Sequence, residues 1–460
     1  YNHSIFGLLT EGEDVREAIS EVATGLQDRP NTDVVMHHVE VFDDLENGVL
    51  MLSAAEGTSG TATITVTVSD GSGNEASRSF DVTVGADTSV YADANPFLND
   101  IAPVRMEANS VTSVQLTAQD ADGTTDFEFL GKADLDVILN SLQMPSVPSG
   151  LDYSVNSTTG EMTITASNGL VGEHQVRVGV RKTGTSGTDS TIDSQLVSIT
   201  LGVLTVDAND HSSGTQAGDG TADTFLLSRS GGDYNVSING EVVRTVDASL
   251  LHAVDLAGSS DDDLFEIDCS QGPPALPGGV VISGGSQQTS DGDAMTLSGG
   301  SFLSVTHVFA DASSGTVTIE TNAPIAYSGL EPITDNLLTT DRIFEFGDSD
   351  DEITVGDDGD NTNGMSTISS VGTSESVDFE LAPGGQITIR TGAGNDHVTA
   401  LELDPTVTSS LTIGGESGND TLDGTGMTDP ITLSGGPGND SLTGGTADDV
   451  LNGQSGDDVI

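Results

Sequence analysis

The sequence predicts a mainly β protein, in which β-sandwich modules are followed by a β-solenoid and a parallel β-roll. Three observations support this prediction. Residues 61–68 alternate polar and apolar side chains, as strands with one buried face do. Gly supplies 57 of the 460 residues, which favours many tight turns between short strands. Asp440, Asp449 and Asp458 recur every nine residues, each followed two places later by Leu or Ile.

The composition excludes some partners and favours others. The chain has 73 acidic and 12 basic residues, giving a net charge of −61. Nucleic-acid binding needs a basic face, so we expect no nucleic-acid partner. Self-repulsion of this size opposes compaction unless cations reduce it. Aromatic residues make up 4% of the chain and Trp is absent, so the sequence favours thin β-layers filled with Val, Ile and Leu.

Cysteine content and hydropathy indicate how the chain could be stabilised outside the cell and whether it spans a membrane. Cys269 is the single cysteine, so no intrachain disulfide can form, and we expect it to be a small buried residue. A secreted chain without disulfides needs another stabilising cross-link, and bound metal is one. No apolar run approaches the roughly 20 residues of a membrane helix, so no membrane-spanning segment is predicted.

Residues 1–44 carry the clearest helix pattern. Apolar side chains at Val15, Ala18, Ile19 and Val22 form one stripe, with acidic residues at its start. This predicts one short α-helix near the N-terminus, followed by a strand over residues 34–42.

The same segment resembles the C-terminal part of a cyclophilin-type peptidyl-prolyl isomerase, through residues 3–7, 11–15, 28–30 and 34–35. In that family a histidine before the Phe-Gly strand lines the proline pocket, and His3 stands at that position. The family's catalytic arginine and most of its pocket would precede Tyr1. We therefore expect a fragment without isomerase activity, in which His3 is a pocket remnant with an ordinary surface role and no residue is catalytic.

Two modules are predicted to be Ig/cadherin-like β-sandwiches. Residues 45–88 contain a hairpin and form a partial Ig-like sandwich, and residues 95–202 form a second sandwich with a short edge helix over 130–142. The turn with Asp120 and Asp122 resembles cadherin-like repeats, where such aspartates bind calcium. A solvated Asx turn explains these two residues equally well.

From residue 203 the chain predicts a ladder of short strands separated by Gly-Gly steps and Asp clusters. Regularly spaced short strands suggest either a solenoid or another sandwich. For residues 203–385, an acidic β-rich region, we favour an irregular parallel β-helix.

Residues 386–460 are predicted to form a calcium-binding β-roll. Calcium takes six to eight hard oxygen ligands. Glycine turns let backbone carbonyls point at an ion, aspartate adds an anionic oxygen, and the following apolar residue starts a short strand. The pattern resembles the RTX, or hemolysin-type, repeat of secreted bacterial proteins, which binds Ca²⁺.

In that family two repeats make one coil, and the metal lies between loops stacked two repeats apart. The resemblance implies that loop 435–440 stacks on loop 453–458, while loop 444–449 faces a degenerate partner at 426–430. The implied metal-site residues are Gly436, Gly438, Asp440, Gly445, Ala447, Asp449, Gly453, Gly456 and Asp458.

Earlier copies of the pattern are looser. Asp396 and Asp420 end matching turns, and we predict metal there as well. Weaker echoes at residues 218–225, 258–264 and 347–353 fit acidic turns between strands at least as well as metal sites.

Together these features predict a calcium-binding, multidomain, extracellular or cell-surface bacterial protein, in which calcium orders a C-terminal β-roll. One alternative is a fragment of a secreted cyclophilin-type isomerase. Another is a calcium-dependent adhesin, with cell-surface or matrix components as partners, although no exposed aromatic platform is evident.

Overall fold

The computed structural model describes residues 60–69, 75–84, 96–119, 126–139, 144–185, 192–210, 221–286, 292–380 and 382–460. Strands dominate these ranges, so the predicted mainly β class is confirmed. Residues 1–44, with His3 and the predicted N-terminal helix, lie outside the described residues. Asp120 and Asp122 lie outside them too.

An antiparallel hairpin, β1 (Gly60–Ser69) and β2 (Glu75–Val84), lies within the first predicted sandwich. The Thr63 hydroxyl donates a 2.6 Å hydrogen bond across the hairpin to Asp81. Polar positions of the alternating pattern therefore meet on one face of the ribbon.

The described residues between 96 and 202 form two main sheets that pack on one core. The strands are β3 (Phe97–Leu98), β4 (Val104–Met106), β5 (Val111–Gln115), β6 (Ala118–Gln119), β7 (Phe127–Leu130), β8 (Leu151–Val155), β9 (Glu161–Ala166), β10 (Gly172–Lys182) and β11 (Ile192–Leu201). One sheet has the order β4-β11-β10-β7 and the other β5-β9-β8, while β3 pairs with β6. Val178 of the first sheet and Ile164 of the second belong to one buried cluster.

The edge helix predicted over 130–142 is observed as the shorter α1 (Lys132–Ile138). Leu135 is fully buried against the sandwich, whereas Val137 on the opposite side is 85% exposed. Leu139 follows in extended conformation and also packs in this small cluster. Among the described residues, no helix is both long and apolar enough to span a bilayer.

A single sheet of 21 strands occupies the rest of the described chain. Its strands are β12 (Val203–Asp207), β13 (Thr224–Ser230), β14 (Asp233–Ile238), β15 (Glu241–Asp247), β16 (Ala253–Ala257), β17 (Leu264–Asp268), β18 (Val280–Ser283), β19 (Asp293–Asp311), β20 (Ser314–Ile319), β21 (Ile325–Ser328), β22 (Leu330–Glu345), β23 (Glu352–Asp357), β24 (Met365–Ser370), β25 (Val377–Glu380), β26 (Gln386–Arg390), β27 (His397–Leu401), β28 (Ser410–Gly414), β29 (Thr421–Gly426), β30 (Ile431–Pro437), β31 (Ser441–Thr443) and β32 (Val450–Ser455). A 3-10 turn covers Ala248–Leu250.

Most neighbours in this sheet are parallel strands from successive coils, so the region is a β-solenoid. Three antiparallel excursions interrupt the coils, namely β13-β14-β15, β19-β20-β21 and β23-β24-β25. β26 pairs in parallel with both β22 and β28, so the ladder runs on through residue 386. The predicted domain boundaries remain predictions.

The solenoid core is a continuous file of inward-facing apolar side chains. Ile387 and Ile389 of β26 are fully buried and alternate with outward polar residues. Phe225 and Phe265 stack between adjacent coils, with ring centroids 4.8 Å apart. Cys269 is buried here as predicted, and burial raises the pKa of its thiol to about 12.

The sandwich joins the solenoid at its first coil. The backbone N–H groups of His252 and Ala253 donate to the Gly202 carbonyl, over 2.7 and 3.2 Å. Arg105 donates two hydrogen bonds to Asp255, over 2.8 and 2.7 Å. Since the end of a solenoid needs a cover, the sandwich serves as one at this end.

Glu375 is a buried acid that should make stability depend on pH. Burial raises the pKa of its carboxyl to about 7, and the charges of Asp311 and Glu331 act in the same direction. The Tyr327 hydroxyl lies near enough to favour the charged form. Neither Glu375 oxygen, however, accepts a hydrogen bond of good geometry from the described residues.

We expect Glu375→Gln to flatten the pH dependence of stability. The folded pKa lies above the ordinary value of 4.5, so protonated Glu375 stabilises the fold below pH 4.5 and this contribution disappears as pH rises through about 7. The parent should therefore lose about 1–3 kcal/mol more than Glu375→Gln between pH 4.5 and 8. Urea unfolding followed by circular dichroism at fixed calcium measures this difference. If the exposed control Glu241→Gln changes the profile equally, Glu375 is not the cause.

Candidate metal centre

In the C-terminal coils, a column of turns connects two faces of the solenoid, and each face is built of parallel strands. One face consists of β26, β28, β30 and β32. The other consists of β27, β29 and β31, followed by a bridge between Ser441 and Val459. The turns that lead from the first face to the second, called the C-terminal column here, are residues 391–396, 415–420, 435–440 and 453–458.

A ladder of aspartates links these turns. The backbone N–H of Asp396 donates to Asp420 Oδ1 over 2.9 Å, and that of Asp420 donates to Asp440 Oδ1 over 2.9 Å. The Asp440 N–H donates to Asp458 Oδ1 over 3.1 Å. One oxygen of each later carboxylate is therefore fixed by the coil before it.

The residue before each aspartate forms a second ladder in the opposite direction. The Asn419 N–H donates to Asn395 Oδ1 over 3.0 Å, and the Asn439 N–H to Asn419 Oδ1 over 2.9 Å. The Asp457 N–H continues the ladder to Asn439 Oδ1 over 2.8 Å. Together the two ladders hold successive turns in register.

Glycines let the turns approach one another closely. Gly438 has φ +154°, and a Cβ on it would overlap the carbonyl oxygen of Gly418 in the coil before. Gly456 stacks in the same way on the carbonyl of Gly438. In the structure, loop 435–440 therefore stacks on loop 453–458, as predicted. The carbonyl oxygens of Gly418 and Gly438 lie one above the other in successive coils, and this row is called the carbonyl file here.

The turn 444–449 lies on the opposite side of the coil. Its Thr446 N–H donates to the Met427 carbonyl over 3.1 Å, and Asp449 Oδ1 accepts from the Ile431 N–H over 3.1 Å. Gly445 lies against the Met427 carbonyl, and Ala447 is half-buried in the turn. This turn thus faces residues 426–430, as the resemblance to RTX repeats implied.

The buried aspartates of this column each have a second carboxylate oxygen that lacks a hydrogen-bond donor among the described residues. Oδ2 of Asp396, Asp420 and Asp440 is buried and accepts no hydrogen bond from the described residues. Burial raises the pKa of Asp420 to about 6, and the charges of Asp396 and Asp440 add to this. Burying an anionic oxygen without a partner is costly. A bound cation would remove that cost, so these residues fit a metal.

The donor set points to a hard cation. Within the described ranges, no group of three or more His, Cys, Asp or Glu side chains could hold a metal ion. A cation here would therefore bind a carboxylate together with backbone carbonyls. Calcium accepts such an all-oxygen set, whereas zinc prefers His and Cys.

The sequence of these coils identifies the metal. Residues 432–460 match the family model of the RTX calcium-binding nonapeptide repeat, in 4 copies. The chain carries RTX repeats. Because RTX nonapeptide repeats bind Ca²⁺, the predicted calcium is confirmed. No curated protein matches the chain.

The structure separates the predicted residues into two groups. Gly436, Gly438, Asp440, Gly453, Gly456 and Asp458 lie in the C-terminal column, while Gly445, Ala447 and Asp449 lie in the turn opposite. Asp396 and Asp420 lie in the same column before the matched RTX residues, and both are more deeply buried than Asp458. The role of each residue as a calcium ligand remains a prediction.

Sequence reasoning gave too little weight to Asp351. Its N–H donates to Asp396 Oδ1 over 2.8 Å, and Asp350 Oδ1 accepts from the Asn395 N–H over 2.7 Å. Residues 350 and 351 thus begin both ladders of the C-terminal column. The sequence signal for this turn is the Asp350-Asp351 pair, followed two places later by Ile353, as Asp457-Asp458 is followed by Ile460 in the last repeat. The inserted strands β23, β24 and β25 lengthen the spacing from Asp351 to the next aspartate of the ladder, so the regular repeat interval is absent here.

Proposed function

We propose that the chain belongs to a secreted bacterial protein whose C-terminal coils fold around calcium, so that the ion orders the β-roll. The observation that supports this most is the unpartnered Oδ2 of Asp440, buried in a turn of the matched repeats. RTX proteins are typically secreted, and extracellular fluid supplies far more calcium than the cytosol does. Two alternatives stay predictions. One is a fragment of a secreted isomerase, and the other is a calcium-dependent adhesin with cell-surface or matrix components as partners.

Asp420, Asp440 and Asp458 are the side chains that would hold calcium in the C-terminal column, together with carbonyl oxygens of the stacked turns. The ion would supply positive charge against the buried carboxylates and a net charge of −61. Because each Oδ1 already accepts the amide of the coil before it, ordering one coil prepares the next. Calcium binding and coil formation are therefore expected to be cooperative.

The free energy available suits a conditional fold. Calcium sites of extracellular modules have Kd values of about 10⁻⁴–10⁻³ M. At ten times Kd each site stabilises the folded state by about 1.4 kcal/mol. A few stacked sites would thus shift a marginal equilibrium without making the fold independent of calcium.

We expect calcium to protect the C-terminal column against hydrogen–deuterium exchange. Hydrogen–deuterium exchange of the full chain in 5 mM calcium (about ten times an extracellular-type Kd) should slow by at least about tenfold over residues 415–460, relative to excess chelator. Strand content measured by circular dichroism should rise in parallel. Magnesium at the same concentration should do less, because it demands stricter geometry.

The matched variant replaces Asp440, Asp449 and Asp458 by Asn. It should lose the calcium-dependent protection over residues 415–460 while the sandwich core around Ile164 exchanges as in the parent. The proposal fails if the parent exchanges equally fast over these residues in calcium and in chelator. It also fails if the triple variant keeps the full effect of calcium.

A further inference from the structure

A second set of stacked turns lies near the start of the solenoid, far outside the matched repeats. The turn after β16 runs from Gly258 to Asp263; after β18 the structure describes the start of a turn at residues 284–286, and then Asp293 at the start of β19. The described parts of these two turns, residues 258–263, 284–286 and 293, are called the upstream turns here. Their sequence lacks the nine-residue interval.

The upstream turns contain the same aspartate ladder as the C-terminal column. The Asp223 N–H donates to Asp263 Oδ1, and the Asp263 N–H donates to Asp293 Oδ1, each over 2.7 Å. The steps along the chain are 40 and 30 residues, against 20 and 18 in the C-terminal column. The geometry is thus conserved between the two sets of turns although the spacing is not.

The backbone of these turns also matches. Gly285 has φ +117° and Gly436 has φ +118°. A Cβ on Gly285 would overlap the Ser259 carbonyl of the coil before, and a Cβ on Gly436 would overlap that of Glu416. The two glycines therefore perform the same close stacking.

The carboxylates occupy equivalent positions. Asp293 Oδ2 lies against the open face of Gly284, as Asp440 Oδ2 lies against that of Gly435. The Gly284 N–H donates to the Ser328 carbonyl over 2.9 Å, so the next coil fixes the start of this turn. The Gly415 turn starts in the same way.

Asp293 differs from Asp263 in the feature that indicates a ligand. Both oxygens of Asp263 accept backbone N–H groups, from Asp223 and Ser259, each over 2.7 Å. Asp293 is fully buried, and its Oδ2 accepts no hydrogen bond within the described part of the chain. Asp262 in the neighbouring turn adds negative charge. The site therefore has a buried carboxylate oxygen whose negative charge a bound cation would balance.

We propose that the upstream turns bind a calcium ion of their own, with Asp293 Oδ2 as the anionic ligand and turn carbonyls completing the site. Neither His nor Cys lies in these turns, so the donors are hard oxygens. This site is separate from the C-terminal column and does not depend on the function proposed for that column.

Calcium binding to the full chain tests the proposal, with Ca²⁺ itself as the probe. The background is the triple variant Asp440→Asn, Asp449→Asn and Asp458→Asn. Adding Asp293→Asn should remove at least one bound calcium per chain, or weaken that class of sites at least tenfold, in flow dialysis from 0.01 to 10 mM calcium. Asn keeps the Oδ1 acceptor for the Asp263 N–H, so the ladder is preserved. The control Asp268→Asn removes an equal charge from β17 and should change binding less than twofold.

Equal calcium binding with and without Asp293→Asn would overturn the proposal. Should Asp293→Asn fail to fold, hydrogen–deuterium exchange of residues 280–298 in the background variant decides the question. Calcium should slow exchange there at least fivefold, and no change would overturn the proposal. Failure of the C-terminal proposal has a different signature, since the triple Asn variant would then bind as much calcium as the parent.

Discussion

Replacing Arg342 by Leu is expected to lower the free energy of unfolding by about 3–5 kcal/mol, the usual cost of breaking a buried ion pair from one side. The Arg342 guanidinium is fully buried and pairs with the buried carboxylate of Asp335, seven residues earlier in β22. It also donates to the carbonyls of Leu337 and Glu380, over 2.7 and 2.6 Å. Its loss would remove the cationic partner of the Asp335 carboxylate and the donor to the two carbonyls.

This cluster sits where β22 turns from one face of the coil to another. Residues 333–335 pair with β25, whereas residues 341–345 pair with β26. Arg342 therefore ties the two halves of β22 together at the corner. His307 Nε2 lies 2.9 Å from Asp335 Oδ2, and burial lowers the pKa of this histidine, which favours its neutral form.

The matched control is Arg390→Leu. Arg390 forms an exposed ion pair with Glu345 in the adjacent strand, and such pairs contribute about 0–1 kcal/mol. Urea unfolding monitored by circular dichroism at fixed calcium compares the two variants. The double variant Asp335→Leu with Arg342→Leu should recover part of the loss, because no unpaired charge remains. If Arg342→Leu and Arg390→Leu cost the same, the cluster does not stabilise the corner.

The sequence contained a signal for half of this cluster. Ile333, Asp335 and Leu337 alternate strictly, which places Asp335 on the buried face of β22. Arg342 could not be paired with it in advance, because the corner shifts the alternation between Leu337 and Arg342. A local interruption of this kind depends on coil geometry that a repeat pattern does not encode.

The same limit explains which metal-site turns could be predicted. Asp440 and Asp458 are 18 residues apart, which is two nonapeptide repeats, so the resemblance to RTX repeats implied their stacking. Asp351 and Asp396 are 45 residues apart because the hairpin of β24 and β25 lies between them. Inserted hairpins change the interval but leave the ladder intact, and only the fold shows that these turns are equivalent.

Gly438→Ala is expected to have an effect of similar size through the backbone alone. At φ +154° an L-residue is strained by about 1–3 kcal/mol, and the new Cβ would overlap the Gly418 carbonyl. Relieving the overlap would separate the two turns, at a further cost of about 1–3 kcal/mol. Since the same turns carry Asp420 and Asp440, the calcium midpoint for strand formation should rise at least tenfold in a circular dichroism titration.

Gly384→Ala separates backbone strain from close approach. Gly384 also has a positive φ, +78°, but a Cβ there would meet nothing within 4 Å. Alanine at this position should cost about 1–2 kcal/mol of left-handed strain and leave the calcium midpoint within a factor of two. Equal midpoints for the two variants would mean that calcium does not require the close stacking of Gly438 on Gly418. The carbonyl file in the C-terminal column would then be a packing feature with no part in binding the ion.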